Sequence, residues 1–153
     1  MMETANSFHP DEERLAKHLA HLGYEITSRR EEEVWHYADH PLGPPLCFRA
    51  SVGLLRLHEE RWLSEDACDL RAGLLDVVNH LNSTHWLLRC SVGSRTHDGK
   101  SYPILRLRTN LPIGLPDQEM ATYLWVWLRE SAWVDKAVQA FRVPFATSSD
   151  AGN

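Results

Sequence analysis

Apolar residues recur at intervals of three and four in three segments of the chain, which is the spacing of an amphipathic helix. These segments are residues 11–22, 64–81 and 116–141. Acidic residues open the first two, where they favour the positive end of a helix dipole, and Gly23 ends the first. The pattern therefore predicts three helices.

Between the first two predicted helices, apolar and polar residues alternate, which indicates half-buried strands. The alternation predicts strands at residues 34–38, 46–52 and 54–62. Gly53 forms either a tight turn or a bulge. Residues 46–62 are therefore two strands or one bent strand, and both alternatives stay open.

Two further strands are predicted after the second helix, at residues 86–92 and 102–109. The segment between them contains Asp98-Gly99, and a glycine at this place suits the positive φ of a hairpin turn. The order of elements is thus helix, three strands, helix, two strands, helix. It predicts an α+β fold with an antiparallel sheet.

The length of 153 residues suits one domain. We expect this domain over residues 1–143 and a disordered polar tail over residues 144–153. With 43% hydrophobic and 24% charged residues, the composition is that of a folded protein. The net charge of -5 argues against a general nucleic-acid binder, because phosphate contacts come mainly from lysine and arginine.

Cysteine usage and the absence of apolar runs predict a cytoplasmic protein. Cys47, Cys68 and Cys90 are an odd count without close spacing, which fits free thiols in a reducing compartment. The first ten residues lack the basic and apolar parts of a secretory signal. No apolar stretch approaches the length of a membrane span, so we expect no membrane association.

No pattern in the chain indicates catalysis. His18 and His21 share a helix face, and His36 and His40 lie close together, but neither pair has a third metal ligand at a suitable spacing. Cys90 is expected on the same buried strand face as Trp86, Leu88 and Val92 and is predicted to lie in the core. Nucleophile-elbow, phosphate-loop and zinc-ligand motifs are also missing. We therefore expect a protein that is not an enzyme and has no catalytic, cofactor or metal site.

Arginines alternate with apolar residues along the predicted hairpin. Arg89, Arg106 and Arg108 are expected on one open face of the sheet. Two more arginines extend this face if the strand registers allow it: Arg49 and Arg56. Because like charges side by side are unfavourable, the face either forms ion pairs with Glu59 and Glu60 or binds an anionic partner.

The third predicted helix has more large apolar residues than one core-facing stripe needs. The stripe is predicted to contain Met120, Leu124, Trp127 or Leu128, Val134, Val138 and Phe141. Trp125 and Trp133 lie outside it, so either the first helix covers them or they form a second packed surface. The residues predicted to contact a dimer partner or a client protein are Trp125, Trp133, Leu128 and Val134.

Several short motifs accompany this order of elements. They are Asn79 and Asn82 at the end of the second helix, Trp86 before the next strand, Asn110-Leu111-Pro112-Ile113 after the last strand, and Phe141. Over residues 11–143 the chain resembles the YbjN family, whose members share the fold of type III secretion chaperones. The resemblance implies helices packed on an antiparallel sheet, a homodimer, and a chaperone-like or regulatory role without catalysis. The two asparagines are expected to satisfy open carbonyls where their helix ends.

Two functional hypotheses follow. The first is a dimeric adaptor that holds a segment of a client protein against the surplus apolar surface of the last helix. A basic client, such as a nucleic-acid-binding protein, would be attracted to this acidic chain. The second is a nucleic-acid-associated protein that uses Arg89, Arg106 and Arg108 as its contact stripe.

Overall fold

The computed structural model of the chain describes residues 8–30 and 34–147. The helices are α1 (Pro10–His21), α2 (Arg71–Thr84) and α3 (Asp117–Ala140), and a 3-10 helix (Glu65–Leu70) precedes α2. The strands are β1 (Glu25–Arg30), β2 (Val34–His40), β3 (Gly43–Ser51), β4 (Leu54–Trp62), β5 (Arg89–His97) and β6 (Lys100–Pro112).

The strands form a six-stranded sheet in the order β1-β2-β3-β4-β6-β5. The pairs β1–β2, β2–β3, β3–β4 and β5–β6 are antiparallel. The predicted α+β class with an antiparallel sheet is therefore confirmed.

The strand β1 was not predicted, so four strands rather than three follow α1. Its sequence Glu-Ile-Thr-Ser-Arg-Arg contains one apolar residue, Ile26, and so lacks the alternation that marks a half-buried strand. It is the outermost strand and, within the described residues, pairs with β2 alone. Backbone pairing at a sheet edge requires less apolar surface than a central strand does.

Two of the hairpins, β3–β4 and β5–β6, have tight turns with positive φ angles. Val52 and Gly53 both have positive φ angles, of 53° and 76°, and Ser51 pairs with Leu54 across the turn. Residues 46–62 are therefore two strands. Asp98 and Gly99 repeat this geometry with φ angles of 51° and 77°, which confirms the predicted β5–β6 hairpin.

Contacts group the chain into two compact units. The first contains residues 1–59 and 109–124. In it, α1 packs against β1 and β3, and Leu15, Leu19 and Phe48 are fully buried. His36 is also buried, and its Nε2 lies 3.0 Å from Oε1 of Glu12.

The second unit contains residues 60–108 and 125–153. Arg61 is buried in it and donates to Ser131 Oγ at 2.7 Å and to Asp135 Oδ1 at 2.9 Å. These bonds tie the end of β4 to α3, which is continuous through Ser131. The fully buried apolar side chains of this unit include Leu63, Leu81, Leu88, Ile104, Leu105, Leu107, Trp127, Val134 and Val138.

The segment that follows α3 begins differently from the predicted tail. Leu63 and Phe145 form an antiparallel bridge, and the N–H of Ala146 donates to Trp62 O at 3.0 Å. Residues 144–146 are therefore placed by backbone pairing that has no signal in their own composition. Residues 148–153 of the predicted tail lie outside the described residues.

The strand β5 departs from its predicted burial. Leu88 and Cys90 are buried as expected, whereas Trp86 and Val92 are exposed. Trp86 lies before the strand, which begins at Arg89, so alternation cannot place its side chain. β5 is also the outermost strand on its side, where fewer neighbours cover an apolar residue.

Candidate functional site

Exposed tryptophans concentrate in the second unit. The exposed fractions are 66% for Trp86, 60% for Trp125 and 50% for Trp133. Tryptophan is the largest side chain and is usually mostly buried. Of the two alternatives from the sequence, the structure therefore supports uncovered tryptophans over tryptophans packed beneath α1.

Two of these tryptophans line one groove with a volume of about 510 Å³. The end of α2 forms one side, α3 forms the other, and the loop that enters β5 lies between them. The lining residues are His80, Thr84, His85, Trp86, Val126, Arg129, Glu130 and Trp133.

Glu130 holds the groove together. Its Oε1 accepts hydrogen bonds from the backbone N–H groups of Leu87 at 2.9 Å and Leu88 at 2.8 Å, and its Oε2 accepts from Trp86 N at 2.6 Å. One carboxylate thereby accepts from three successive backbone N–H groups that precede β5. Glu130 thus fixes the loop that carries Trp86 against the helix that carries Trp133.

Asn82 supports the same loop from its other end. Its Oδ1 accepts from the N–H of Cys90 at 2.8 Å, and its Nδ2 donates to the carbonyl of Cys90 at 2.9 Å. The prediction that Asn82 satisfies carbonyls of its own helix is therefore wrong, because its amide pairs with both backbone groups of Cys90 on β5. The bond pair fixes where the strand begins relative to α2.

The outer face of α3 alternates aromatic and cationic side chains. Trp125, Arg129, Trp133 and Lys136 follow at intervals of four, four and three residues. The guanidinium of Arg129 lies 5.4 Å from the ring centre of Trp125, and the ammonium of Lys136 lies 4.3 Å from that of Trp133. Each cation stacks on a ring and remains available to a partner.

Two cationic side chains lie at the groove, since Arg129 lines it and Lys136 stacks on Trp133, which also lines it. Arg129 and Lys136 are exposed, whereas the carboxylate of Glu130 faces three backbone N–H groups. His85 places its Nε2 3.2 Å from the carbonyl oxygen of Glu130. A ligand would therefore meet aromatic rings and cations here.

The other two residues predicted to contact a partner are placed differently. Val134 is fully buried, so the prediction that it contacts a partner is wrong. It follows Trp133 directly, and neighbouring residues on a helix face different directions. Leu128 is half-buried, while Trp127 takes the core position that the sequence left open between the two.

The predicted arginine face is present on the β5–β6 hairpin. Arg89 lies directly opposite Arg108, and Arg106 lies opposite Ser91, so the three arginines share one side of the hairpin. The carboxylates expected to pair with them are used elsewhere. Glu60 forms a bidentate pair with Arg95, and Glu59 is buried.

The remaining arginines of the predicted stripe belong to the first unit. Arg49 and Arg56 lie opposite each other on β3 and β4. The guanidinium of Arg49 lies 5.5 Å from the ring centre of Trp35.

Burial or hydrogen bonds to other residues of the fold account for Cys90, the candidate nucleophile, and for two of the candidate metal-binding histidines. Burial raises the pKa of Cys90 to about 12, so its thiol stays protonated at neutral pH. Of the predicted histidine pairs, His36 is bonded to Glu12, and His40 accepts from Leu42 N at 3.1 Å. Within residues 8–30 and 34–147, no three histidine, cysteine, aspartate or glutamate side chains converge as metal ligands do.

The sequence pattern indicated that Trp125 and Trp133 lie outside the core, and the structure exposes both, but no pattern pointed to Glu130. Nothing near Glu130 in the sequence indicates that it accepts bonds from residues 86–88, more than 40 positions away. The one available signal was its place beside an apolar stripe, between Arg129 and Ser131. A single acid there is equally typical of a solvated helix face.

The structure resembles two solved proteins. YbjN from E. coli, whose proposed role is that of a transcription regulator, superposes with a TM-score of 0.68 over 92% of this chain and all of its own length, at 12% identity. An uncharacterized protein from Methanothermobacter thermautotrophicus gives a TM-score of 0.57 over 84% of this chain and 96% of its own, also at 12% identity. At such identities the likeness concerns the fold, and it confirms the YbjN-like fold predicted from the sequence.

The sequence comparisons add no further relative, since no protein-family model and no curated protein matches the chain. Among the described helices, none has the length and apolar character needed to cross a membrane.

Proposed function

We propose that this protein is a non-enzymatic adaptor that binds a segment of another protein chain in the groove between α2 and α3. The observation that carries the proposal is a pair of exposed tryptophans in one groove, Trp86 from the loop that enters β5 and Trp133 from α3, with Glu130 bonding that loop to α3. Tryptophan and arginine are enriched among residues that dominate binding energy. A preformed groove also reduces the entropy lost on binding.

The charge of the groove defines the class of partner. Arg129 lines it, Lys136 stacks on the lining residue Trp133, and the carboxylate of Glu130 is directed at backbone N–H groups. An acidic segment with bulky apolar residues would complement both the cations and the indole rings. The overall charge of -5 had suggested a basic client, but contact is governed by local rather than net charge.

A second copy of the chain is the rival occupant of this face. Trp125 and Arg129 lie on the same side of α3 as Trp133 and would extend the buried area of a dimer. A regulatory adaptor of this kind is compatible with the role proposed for YbjN. Cys47 and Cys90 are free thiols, which supports a reducing, cytoplasmic location as part of the proposal.

A pair of charge-inverted peptides tests the groove. One fluorescein-labelled peptide carries glutamate with leucine and phenylalanine at helical spacing, and its twin carries lysine in place of every glutamate. We expect the acidic peptide to raise the fluorescence anisotropy and the basic twin to have no effect. Trp133→Ala should weaken binding at least tenfold, because it removes an aromatic anchor of the groove.

Leu42→Ala is the matched control, since Leu42 is 89% exposed in the β2–β3 turn and lies outside the groove. It should leave the affinity unchanged. Preference for the basic peptide, or equal affinity in Trp133→Ala, would refute the proposed partner class. Light scattering over a range of concentrations separates the rival: a dimer that dissociates in Trp133→Ala and excludes the peptide would assign the groove to a second copy.

A further inference from the structure

The arginines of the β5–β6 hairpin lie in a row along β5. Arg89 belongs to β5 itself, and its Nη1 donates to the carbonyls of His85 and Leu88 at 3.2 and 3.0 Å. From β6, the Arg108 Nη2 reaches to 3.4 Å from Ser91 Oγ. Arg106 extends toward Gly93 on the same side.

Gly93 provides the space for the third member of this row. A Cβ atom at Gly93 would lie 2.5 Å from Cζ of Arg106 and 2.8 Å from its Nε and Nη1. Such distances are too short for any real side chain, so the guanidinium lies directly against the backbone of β5. Any residue larger than glycine would move it.

The guanidinium groups of Arg89, Arg108 and Arg106 therefore lie next to residues 89, 91 and 93 of β5, respectively. Alternate residues of an antiparallel strand are roughly 7 Å apart. This repeat is close to the distance between successive phosphates in an extended nucleic-acid strand.

No described carboxylate pairs with the row. Among the residues that the structure describes, none forms an ion pair with Arg89, Arg106 or Arg108. The next arginine on the same side of β5 is a contrast, because Arg95 is neutralised by Glu60 through Nε at 3.1 Å and Nη2 at 2.5 Å. On this hairpin face Arg95 therefore has a carboxylate partner, whereas Arg89, Arg106 and Arg108 have none among the described residues.

We propose that this row is a second binding site, which takes the phosphate backbone of single-stranded nucleic acid. Guanidinium groups bind phosphate oxygens through paired hydrogen bonds. Arg89 and Arg108 lie opposite each other, and like charges in this arrangement are unfavourable until an anion lies between them. None of these three arginines lines the groove, so the proposal does not depend on what the groove binds.

A labelled oligothymidylate of about 20 nucleotides tests the site at low ionic strength. Three phosphate contacts predict a slope of about -2 in a plot of log affinity against log salt, since each contact to a single strand contributes about -0.7. Arg106→Gln should lower the affinity several-fold and reduce the slope by about 0.7. Lys17→Gln, on the exposed face of α1, removes the same charge and should change neither.

Gly93→Ala separates geometry from charge. It keeps every arginine but moves the Arg106 guanidinium, so it should weaken oligonucleotide binding without altering net charge. Circular dichroism melting establishes that the variant is folded. Unchanged binding in both Gly93→Ala and Arg106→Gln would overturn the assignment.

A polyglutamate peptide of similar length, tested on the Trp133→Ala variant so that the groove contributes little, distinguishes phosphate from carboxylate. If it binds as tightly as the oligonucleotide, or if neither ligand binds at about 20 mM salt where electrostatic attraction is strong, the proposal fails. Trp133→Ala should leave oligonucleotide binding intact. A loss of peptide binding in the groove therefore tests the adaptor function alone, and a loss of oligonucleotide binding tests this site alone.

Discussion

Charged side chains in two regions of the second unit differ in which protein groups bind them. Arg61 and Glu130 have their charged groups directed at protein partners, the former at Ser131 and Asp135 and the latter at three backbone N–H groups. Arg89, Arg106 and Arg108 share one side of the β5–β6 hairpin, and none of them forms an ion pair with a described carboxylate. A charge with several partners stabilises the fold, whereas one without an acidic partner adds little stability and remains available to a ligand.

The largest effect should come from Arg61. Arg61→Ala removes the bonds to Ser131 and Asp135 and leaves a cavity between β4 and α3. We expect the free energy of unfolding to fall by about 3 kcal/mol, as measured by urea denaturation. A loss below about 0.5 kcal/mol, the size typical of a surface substitution, would mean that Arg61 does not hold these elements together.

Glu130 should come next. Glu130→Ala leaves the N–H groups of residues 86–88 without their acceptor and should lower the free energy of unfolding by about 2 kcal/mol. Glu130→Gln keeps one carbonyl oxygen and should lose less. Faster amide hydrogen exchange at Leu87 and Leu88 in the alanine variant would confirm the role in the loop, and unchanged exchange would contradict it.

The raised pKa of Cys90 should make the free energy of unfolding fall at alkaline pH. Because burial raises its pKa to about 12, the unfolded chain loses this proton at lower pH than the folded chain does. The stabilisation is complete below the ordinary thiol pKa and is lost progressively as the pH rises toward 12. Cys90→Ala should remove about 1 kcal/mol of the decline in stability between pH 9 and pH 10. Identical alkaline curves for the two proteins would exclude this origin.

The smallest effect on stability is expected at the arginine face. Arg108→Gln removes a like-charge contact with Arg89 and should change the free energy of unfolding by less than about 0.5 kcal/mol, with a small gain favoured. The measurement is thermal unfolding at low salt, where surface charges are least screened. A loss comparable with that of Arg61→Ala would place Arg108 among the residues that hold the fold.

Local patterns predicted much of the sheet because they reflect local physics. The alternation at residues 102–109 and the Asp98-Gly99 turn specify a hairpin without reference to the rest of the chain. β1 escaped prediction because an edge strand is defined by its pairing with β2. Trp86 was expected in the core because the alternating pattern was read as one strand from residue 86. In the structure the strand begins at Arg89, and Glu130 and Asn82, which lie in other elements, hold the residues before and after this boundary.

The sequence by itself determined the class of the fold, the hairpin turns, and the presence of more large apolar side chains in α3 than one core can cover, because periodicity and turn chemistry act between near neighbours. Tertiary structure alone decided that Val134 turns inward, that Glu130 frames a groove, and that no described carboxylate pairs with Arg106. These outcomes depend on contacts between residues tens of positions apart. Such contacts are set by packing, and the pattern along the chain does not contain them.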